Sequence, residues 1–395
     1  MVFDIGTEAL KVLICSEESN TRPEKTVILG AALKYFDKDI FLLDSNFGAE
    51  ETKKTMAAAI QEARQSLCFS LAAKRLKQEA GDQKNWRVLL SLPANILKCR
   101  IVARSFWRQN QKEKISKPEA ESIQEKVFGD AQKEISEIFA EESGILPQDI
   151  QWVSLKIFEV KIDGYKVSSL QGYEGKNLDF KIITTFLPRH YLESIRRVMG
   201  ELRLEILNIV HEAENLPTLF ADGNKDGIFL DIGGETTHLF FAKDGSLAEV
   251  NEFGSGGRAF TRLLSETFGI DEENARILKE RYSNKLLSDK ASNRIKEVFN
   301  LGQKKWYLSL VKKIEETGCK KLLPSNIFLF GGGAMLPEVQ EGLKDGTVIS
   351  LGFVPIFNAP EIKIIYPKDL KNIEDTTKKL NTPQNTPSLL VCLSR

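Results

Sequence analysis

One pattern occurs twice in this chain of 395 residues, and it limits the possible folds more than any other feature. A short apolar strand runs into Asp-Ile-Gly and turns back into a second strand. It appears first as VFDIGTEALKVLI from Val2 and again as GIFLDIGGETTHLFF from Gly227. Asp4 and Asp231 stand 227 residues apart, too far for a tandem array, so two related halves facing one cleft are expected. A strand ending in Asp-Ile-Gly sets a carboxylate at its tip. The glycine then permits a tight turn whose backbone N–H groups approach phosphate oxygens. A third segment, NIFLFGGGAMLPEV from Asn326, runs a strand into Gly331, Gly332 and Gly333 and then a helix, so that a flat ring can lie against backbone.

The side chains around these turns fit a polyphosphate. Thr7 follows the first turn, and Thr236 and Thr237 follow the second, each offering a hydroxyl. Lys11 supplies a point charge, and Asp4 and Asp231 suit Mg²⁺ held through water, since that ion dehydrates reluctantly. Other classes are excluded by composition. Lys+Arg and Asp+Glu are both 55, giving a net charge of zero and no bulk attraction for nucleic acid. Hydrophobic residues at 42% and charged residues at 28% are those of a globular chain, not a disordered one. The five cysteines (Cys15, Cys68, Cys99, Cys319, Cys392) are dispersed, which argues against a disulfide framework and a thiolate zinc site. His190, His211 and His238 are equally scattered, so no His-rich metal site is expected. Asp4 and Glu8 interrupt any apolar leader, and no apolar run nears the ~18–20 residues of a spanning helix. The chain therefore reads as a reduced, cytoplasmic α/β protein.

Periodicity sets the organisation. Strands are expected at 1–6, 12–15, 26–33, 40–43 and 86–93, with a helix over 49–81 that carries Met56, Ile60, Ala63 and Leu67 on one face. A highly charged helical segment spans 112–139, with a start signal at Ser116 followed by Pro118 and Glu119. Its charge suits a solvated face or an assembly surface. Strands at 152–163 and 178–187 and a helix at 190–202 complete this block. The resulting division is 1–88 plus 189–226 as the first half, 89–188 as an inserted α/β subdomain, and 227–395 as the second half. Within the last, about 258–325 reads as a reduced, mostly helical subdomain.

The three glycine-bearing segments resemble the phosphate-one, phosphate-two and adenosine motifs of the actin-like ATPase superfamily. Within it the chain is most similar to the branch of the bacterial cell-division protein FtsA and the type IV pilus assembly protein PilM, and closest to FtsA, which implies an ATP-binding cytoskeletal scaffold acting in cell division. DIGTEALK is similar to the PilM form, whereas IFEVKIDGYKVSSLQGYEGKNLDFKIITTF and NEFGSGGRAFTRLLSETFGIDEENARILK look more like FtsA. The resemblance implies an actin-like fold, ATP and Mg²⁺ as ligands, and at most slow hydrolysis. It implies metal roles for Asp4 and Asp231. Phosphate contacts are implied for Gly6, Thr7, Lys11, Gly233, Gly234, Thr236 and Thr237, and nucleotide contacts for Gly256 and Gly257. Gly331, Gly332 and Gly333 would meet adenosine, Lys279 the ribose or base, and Glu212 the attacking water as the catalytic residue, with the solvated surface of a helix as its plainer alternative.

The implied roles are self-association into filaments, with the tail of FtsZ or another division or pilus protein as partner, and membrane contact only through partners. A PilM-like pilus adaptor and a nucleotide-free scaffold with a degenerate site are the alternatives. A small-molecule kinase would need a base beside the γ-phosphate, and no extra carboxylate motif supplies one. Several departures from the family pattern matter. Arg276 stands where a glutamate is usual, which implies a changed ribose contact, and Glu235 replaces a glycine and brings negative charge to the second phosphate loop. Only three residues precede Asp4, so the first strand is expected to be short. The segment SLLVCLSR reads as core rather than as an autonomous membrane anchor.

Overall fold

The computed structural model describes residues 1–18, 25–36, 46–67, 86–219, 226–317, 326–344 and 360–394. The strand expected at 40–43, the stretch 68–81 of the first expected helix, Cys68 and Cys319 lie outside them.

The repeated hairpin generates a repeated sheet. β1 (Val2–Ile5), β2 (Ala9–Glu18) and β3 (Lys25–Tyr35) form an antiparallel meander, and β4 (Trp86–Ser91) and β9 (Leu204–Ile209) continue it in parallel beyond β1. The second sheet uses the same plan. β10 (Gly227–Ile232), β11 (Thr237–Lys243) and β12 (Ser246–Phe253) form the meander, with β13 (Asn326–Phe330) and β14 (Glu361–Ile364) in parallel beyond β10. Strands covered on both faces read as continuous apolar runs. That explains VFDI in β1 and NIFLF in β13, which are buried almost throughout.

Helices cover the second sheet. α1 (Asn46–Gln65) belongs to the first half, whereas α4 (Gly257–Phe268), α5 (Glu272–Ser283) and α6 (Asp289–Glu316) follow β12. Asp271 and Ser288 cap α5 and α6 by accepting the N–H groups of Asn274 and Ala291. The helices bury Phe260, Tyr282, Phe299 and Trp306 against Leu239 and Phe253. Phe299 meets Phe260 and Tyr282 edge to face, at centroid distances of 5.3 and 5.4 Å. α7 (Pro337–Lys344) follows the glycine run.

The end of the chain corrects the expected span of the second half. β15 (Ile373–Asp375) pairs in parallel with β3, at the edge of the first sheet. α8 (Thr386–Cys392) is buried at all seven positions and packs on β1, β2 and β4. Residues 373–392 thus complete the first half, because an open strand edge and an uncovered apolar face lie there. The same packing brings Cys15 and Cys392 together as thiols, with Sγ atoms 2.9 Å apart, although the two stand 377 residues apart in sequence.

Residues Ile96–Ile195 form a compact unit of their own, separate from Met1–Asn95 with Arg196–Arg395. The unit begins later than the expected 89, because Leu90 and Ser91 still pair with Phe3 and Asp4. Its four antiparallel strands are β5 (Lys98–Trp107), β6 (Ile150–Ile162), β7 (Tyr165–Val167) and β8 (Asn177–Pro188), in the order β5-β8-β6-β7. α2 (Lys117–Ser143) starts where Ser116 accepts the N–H of Glu119 and stops at Gly144, whose φ of 73° suits a glycine. Its charge conceals an apolar stripe of Ile123, Val127, Ala131, Ile135 and Phe139 that packs on the sheet. α3 (Arg189–Glu201) links β8 to β9. No helix among the described residues is long and apolar enough to cross a membrane.

Candidate functional site

Both hairpins close on the same turn. Gly6 N–H donates to Ala9 O at 2.8 Å, and Gly233 N–H donates to Thr236 O at 2.9 Å. Register then decides which side chains meet. In the first hairpin Asp4 lies opposite Lys11, and in the second Asp231 lies opposite His238. Lys11 Nζ stands 2.9 Å from Asp4 Oδ2, so the cation expected to face phosphate is paired with its cross-strand carboxylate. His238 Nδ1 lies 3.9 Å from Asp231 Oδ2.

The two turns also touch each other. Glu235 N–H donates to Thr7 Oγ1 at 3.0 Å, which joins residues 228 apart in sequence. Both turns line one cavity with Asp4, Lys11, Glu212, Asp231, Lys279 and Gly331–Gly333. Gly6, Thr7, Gly233, Gly234, Thr236 and Gly257 share its wall. Two expected residues are not on it. Thr237 alternates away from Thr236 and His238, and its hydroxyl donates to Ser255 O at 2.6 Å while accepting Trp306 Nε1–H at 3.1 Å. Gly256 is where the backbone of α4 crosses the second turn, since a Cβ there would lie 2.4 Å from Gly234 O. The next two N–H groups, of Gly257 and Arg258, donate to Gly233 O and Gly234 O at 2.8 and 2.9 Å. The helix end thereby holds the turn in place.

Glu212 is not on a helix surface. It opens a short 3₁₀ turn after β9 and is 4% exposed. His238 Nδ1 lies 2.5 Å from its Oε1, and His211 Nδ1 lies 3.3 Å from its Oε2. Burial disfavours the charge on Glu212, but the His238 imidazole outweighs it and the carboxyl is held down to about 2. Burial likewise opposes charge on His238, and Glu212 with Asp231 overcomes it and pushes the imidazole up to about 10. This is a buried ion pair. It corrects the expectation that the histidines are scattered, because His211 and His238 rings lie 4.8 Å apart. Donor atoms of His211, Glu212 and His238 are close enough to surround a cation. However, His211 Nδ1 already accepts Ala213 N–H at 3.1 Å, and His238 is matched to its carboxylate.

Asp231 keeps a lone acceptor oxygen. Its Oδ1 is buried without a hydrogen-bond partner, and burial raises its pKa. Gly331 abuts it with φ of 83°, and a Cβ at that position would sit 2.1 Å from Oδ1. Only glycine lets the third motif approach so closely. Two carboxylates on one cavity, one with an unpartnered buried oxygen, form a donor set that fits Mg²⁺ through water. Lys279 is buried, which lowers its pKa, and its Nζ donates to Gly257 O at 3.0 Å.

The cavity wall also holds residues that the sequence did not single out. Tyr35, Glu280 and Gln384 line it together with the glycine run, and Glu8 stands near the turns. Tyr35 Oη donates to Glu280 Oε1 at 2.9 Å, and the Arg276 guanidinium lies 3.7 Å over the Tyr35 ring. Only Glu280 carried a signal, as the neighbour of Lys279. Glu235 turns away from the site. Its carboxylate lies 2.7 Å from Arg262 and 3.4 Å from Arg258, so its charge is matched.

No protein-family model matches the chain, and no curated protein sequence matches it. Solved structures do. The chain is similar to a PilM-PilN type IV pilus biogenesis complex, with 15% identity over 99% of this chain and 96% of that one, and a TM-score of 0.63. EutJ, an ethanolamine utilization protein from Carboxydothermus hydrogenoformans, matches at 14% identity over 99% of this chain and 88% of that one, with a TM-score of 0.48. MreB5 of Spiroplasma citri bound to ADP matches at 13% identity over 99% and 94%, with a TM-score of 0.44. The doubled sheet, the paired Asp-Ile-Gly turns and this likeness converge on one architecture: the chain has an actin-like ATPase fold.

Proposed function

We propose that this chain binds ATP with Mg²⁺ between its two Asp-Ile-Gly turns and serves as a nucleotide-dependent adaptor of the PilM kind, docking a segment of a partner protein. The observation that carries the ligand is the pairing of Asp4 and Asp231 on one cavity, with Asp231 Oδ1 buried and unpartnered. Bound Mg²⁺ would supply charge neutralisation at the phosphates. The chain's own groups do the rest. Thr7 and the N–H groups of the two turns bind phosphate oxygens, Lys11 turns from Asp4 toward them, and the glycine run with Lys279 receives the nucleoside. Glu212 and His238 stand beside the turns and hold a proton between them. Because the Glu212 carboxylate is committed to His238, activation of water is slow, which favours an adaptor over a fast ATPase.

The adaptor role draws on the likeness to the PilM-PilN complex. A second reading, self-association into filaments as an FtsA-like scaffold in cell division, draws on the compact insertion Ile96–Ile195. Titration of the full chain with a fluorescent ATP analogue and Mg²⁺ tests the ligand, with Asp231→Ala alongside. Saturable micromolar binding that the substitution removes supports the reading. A wild-type chain that binds no nucleotide rejects it, leaving a scaffold that retains the fold.

A further inference from the structure

We propose that Cys15 and Cys392 are a redox-sensitive pair that a peroxide oxidises to a disulfide, and that this bond locks α8 in place between the two halves. The inference does not depend on the nucleotide reading. Backbone register brings the thiols together. Ile14 faces α1, because it pairs with Gly30, and a Cβ on Gly30 would lie 2.4 Å from Ala63 O in that helix. Side chains alternate along a strand, so Cys15 points to the opposite face, where α8 packs and Cys392 ends its last turn. Their Sγ atoms lie 2.9 Å apart, a separation that side-chain movement alone can close. Cys15 is partly exposed whereas Cys392 is buried, so a small oxidant meets Cys15 first.

The step balances with hydrogen peroxide. The Cys15 thiolate attacks one peroxide oxygen, the O–O bond breaks, and a sulfenic acid and hydroxide form. The Cys392 thiolate then attacks the Cys15 sulfur, the S–O bond breaks, and a second hydroxide leaves. The two thiol protons turn both hydroxides into water, and the two electrons given up by the sulfurs reduce the one peroxide. A dithiol reductant reverses the bond by exchange. What the bond locks is a strap. At its start α8 is tied to the second half: the preceding turn offers Pro383 O to Gly331 N–H at 3.0 Å, and Thr386 Oγ1 donates to Ile365 O at 3.2 Å, just past β14. Gln384 of that turn lines the cavity. The rest of α8 lies on β1, β2 and β4 of the first half. A covalent bond from Cys392 fixes that end to β2, the strand that also carries Lys11, the partner of Asp4.

The test treats the full, folded chain with hydrogen peroxide, alkylates the remaining thiols and digests with trypsin. The peptides 12–25 and 380–395, which carry the two cysteines, should appear joined and two hydrogens lighter than their sum. Dithiothreitol should release them, and Cys15→Ser should give no joined species. A link that forms only after unfolding in urea, or sulfinic acid at Cys15 without a link, overturns the pair. A second measurement reads the lock. Hydrogen exchange in 331–334 and 386–392 should slow several-fold on oxidation, and the thermal midpoint should rise by several degrees, because the bond closes a loop of almost the whole chain. Peroxide-treated Cys15→Ser should show neither change. A linked chain whose exchange is unchanged in both segments overturns the lock.

Discussion

Replacing Glu212 by Gln should destabilise the chain most between about pH 4.5 and 6.5, and the reason lies in the buried pair with His238. The two groups sit 2.5 Å apart and are nearly inaccessible, with Glu212 at 4% and His238 at 9% exposure. Removing one partner of such a pair typically costs about 3–5 kcal/mol, because the other is left buried and uncompensated. Here the lower end applies, since His238 can discharge and Asp231 remains 3.9 Å away. The sign follows from the two shifts. His238 is raised from 6.5 to about 10, so its contribution is full below pH 6.5 and is lost as pH rises through about 10. Glu212 is lowered from 4.5 to about 2, so its contribution is full above pH 4.5 and is lost as pH falls through about 2. Urea unfolding of wild type and Glu212→Gln at pH 5.5, 7.5 and 9.5 measures the difference. Tryptophan fluorescence is a suitable probe, because buried Trp306 bonds to Thr237, the neighbour of His238. The expected gap is about 3 kcal/mol at pH 5.5 and narrows toward pH 9.5. Identical curves at pH 5.5, or a gap that widens with alkalinity, would refute the ion pair.

Two further substitutions probe the framework. Gly256→Ala forces a Cβ to within 2.4 and 2.5 Å of the carbonyl oxygens of Gly234 and Gly233. The backbone must shift, at about 1–3 kcal/mol, and thermal unfolding should show the loss together with weaker nucleotide binding, because the second turn moves. Arg108→Met tests the insertion. Its side chain is 1% exposed and bonds to Glu119, Gly175 O and Glu113 O. A loss of about 2–3 kcal/mol is expected, seen as faster hydrogen exchange within Ile96–Ile195 and none in β10 or β13. Exchange that rises equally throughout would show that the insertion does not unfold as its own unit.

What could be read from the sequence was local. The Asp-Ile-Gly turns, the strands beside them and the Ser116 start of α2 depend on neighbours a few residues apart, and pattern reveals such things. The Asp4–Lys11 pair was within reach too, because a tight hairpin fixes its own register. Long-range partners carried no such mark. Glu212 follows β9 of the first sheet and His238 lies in β11 of the second, and nothing in either segment names the other. Tyr35 and Glu280 are hidden in the same way. The boundary at 227–395 failed for a related reason: the edge that β15 fills belongs to β3, more than 300 residues earlier.

The two halves share a topology but divide the chemistry, and the division follows from which loops leave the carboxyl ends of the parallel strands. The hairpins are equivalent, and each offers one carboxylate. The next strands differ. β4 exits into Leu92-Pro93, an apolar turn with little to offer a ligand, whereas β13 exits into Gly331–Gly333, whose open backbone reaches Asp231. The outer strands differ in the opposite sense. β9 exits into His211-Glu212, which enters the site, while β14 exits into Ile365-Tyr366, away from it: Tyr366 N–H is taken up by Asp369 Oδ2 at 2.8 Å. One half thus contributes the proton-holding turn and the other the backbone platform. Neither half alone encloses a ligand, so a nucleotide held by both must set the distance between them. Any partner that senses that distance senses the nucleotide. On the proposed reading, docking of a partner would thus be tied to the contents of the cleft, and the Tyr35–Glu280 hydrogen bond, which joins residues of the two sheets' halves, is a contact by which to test it.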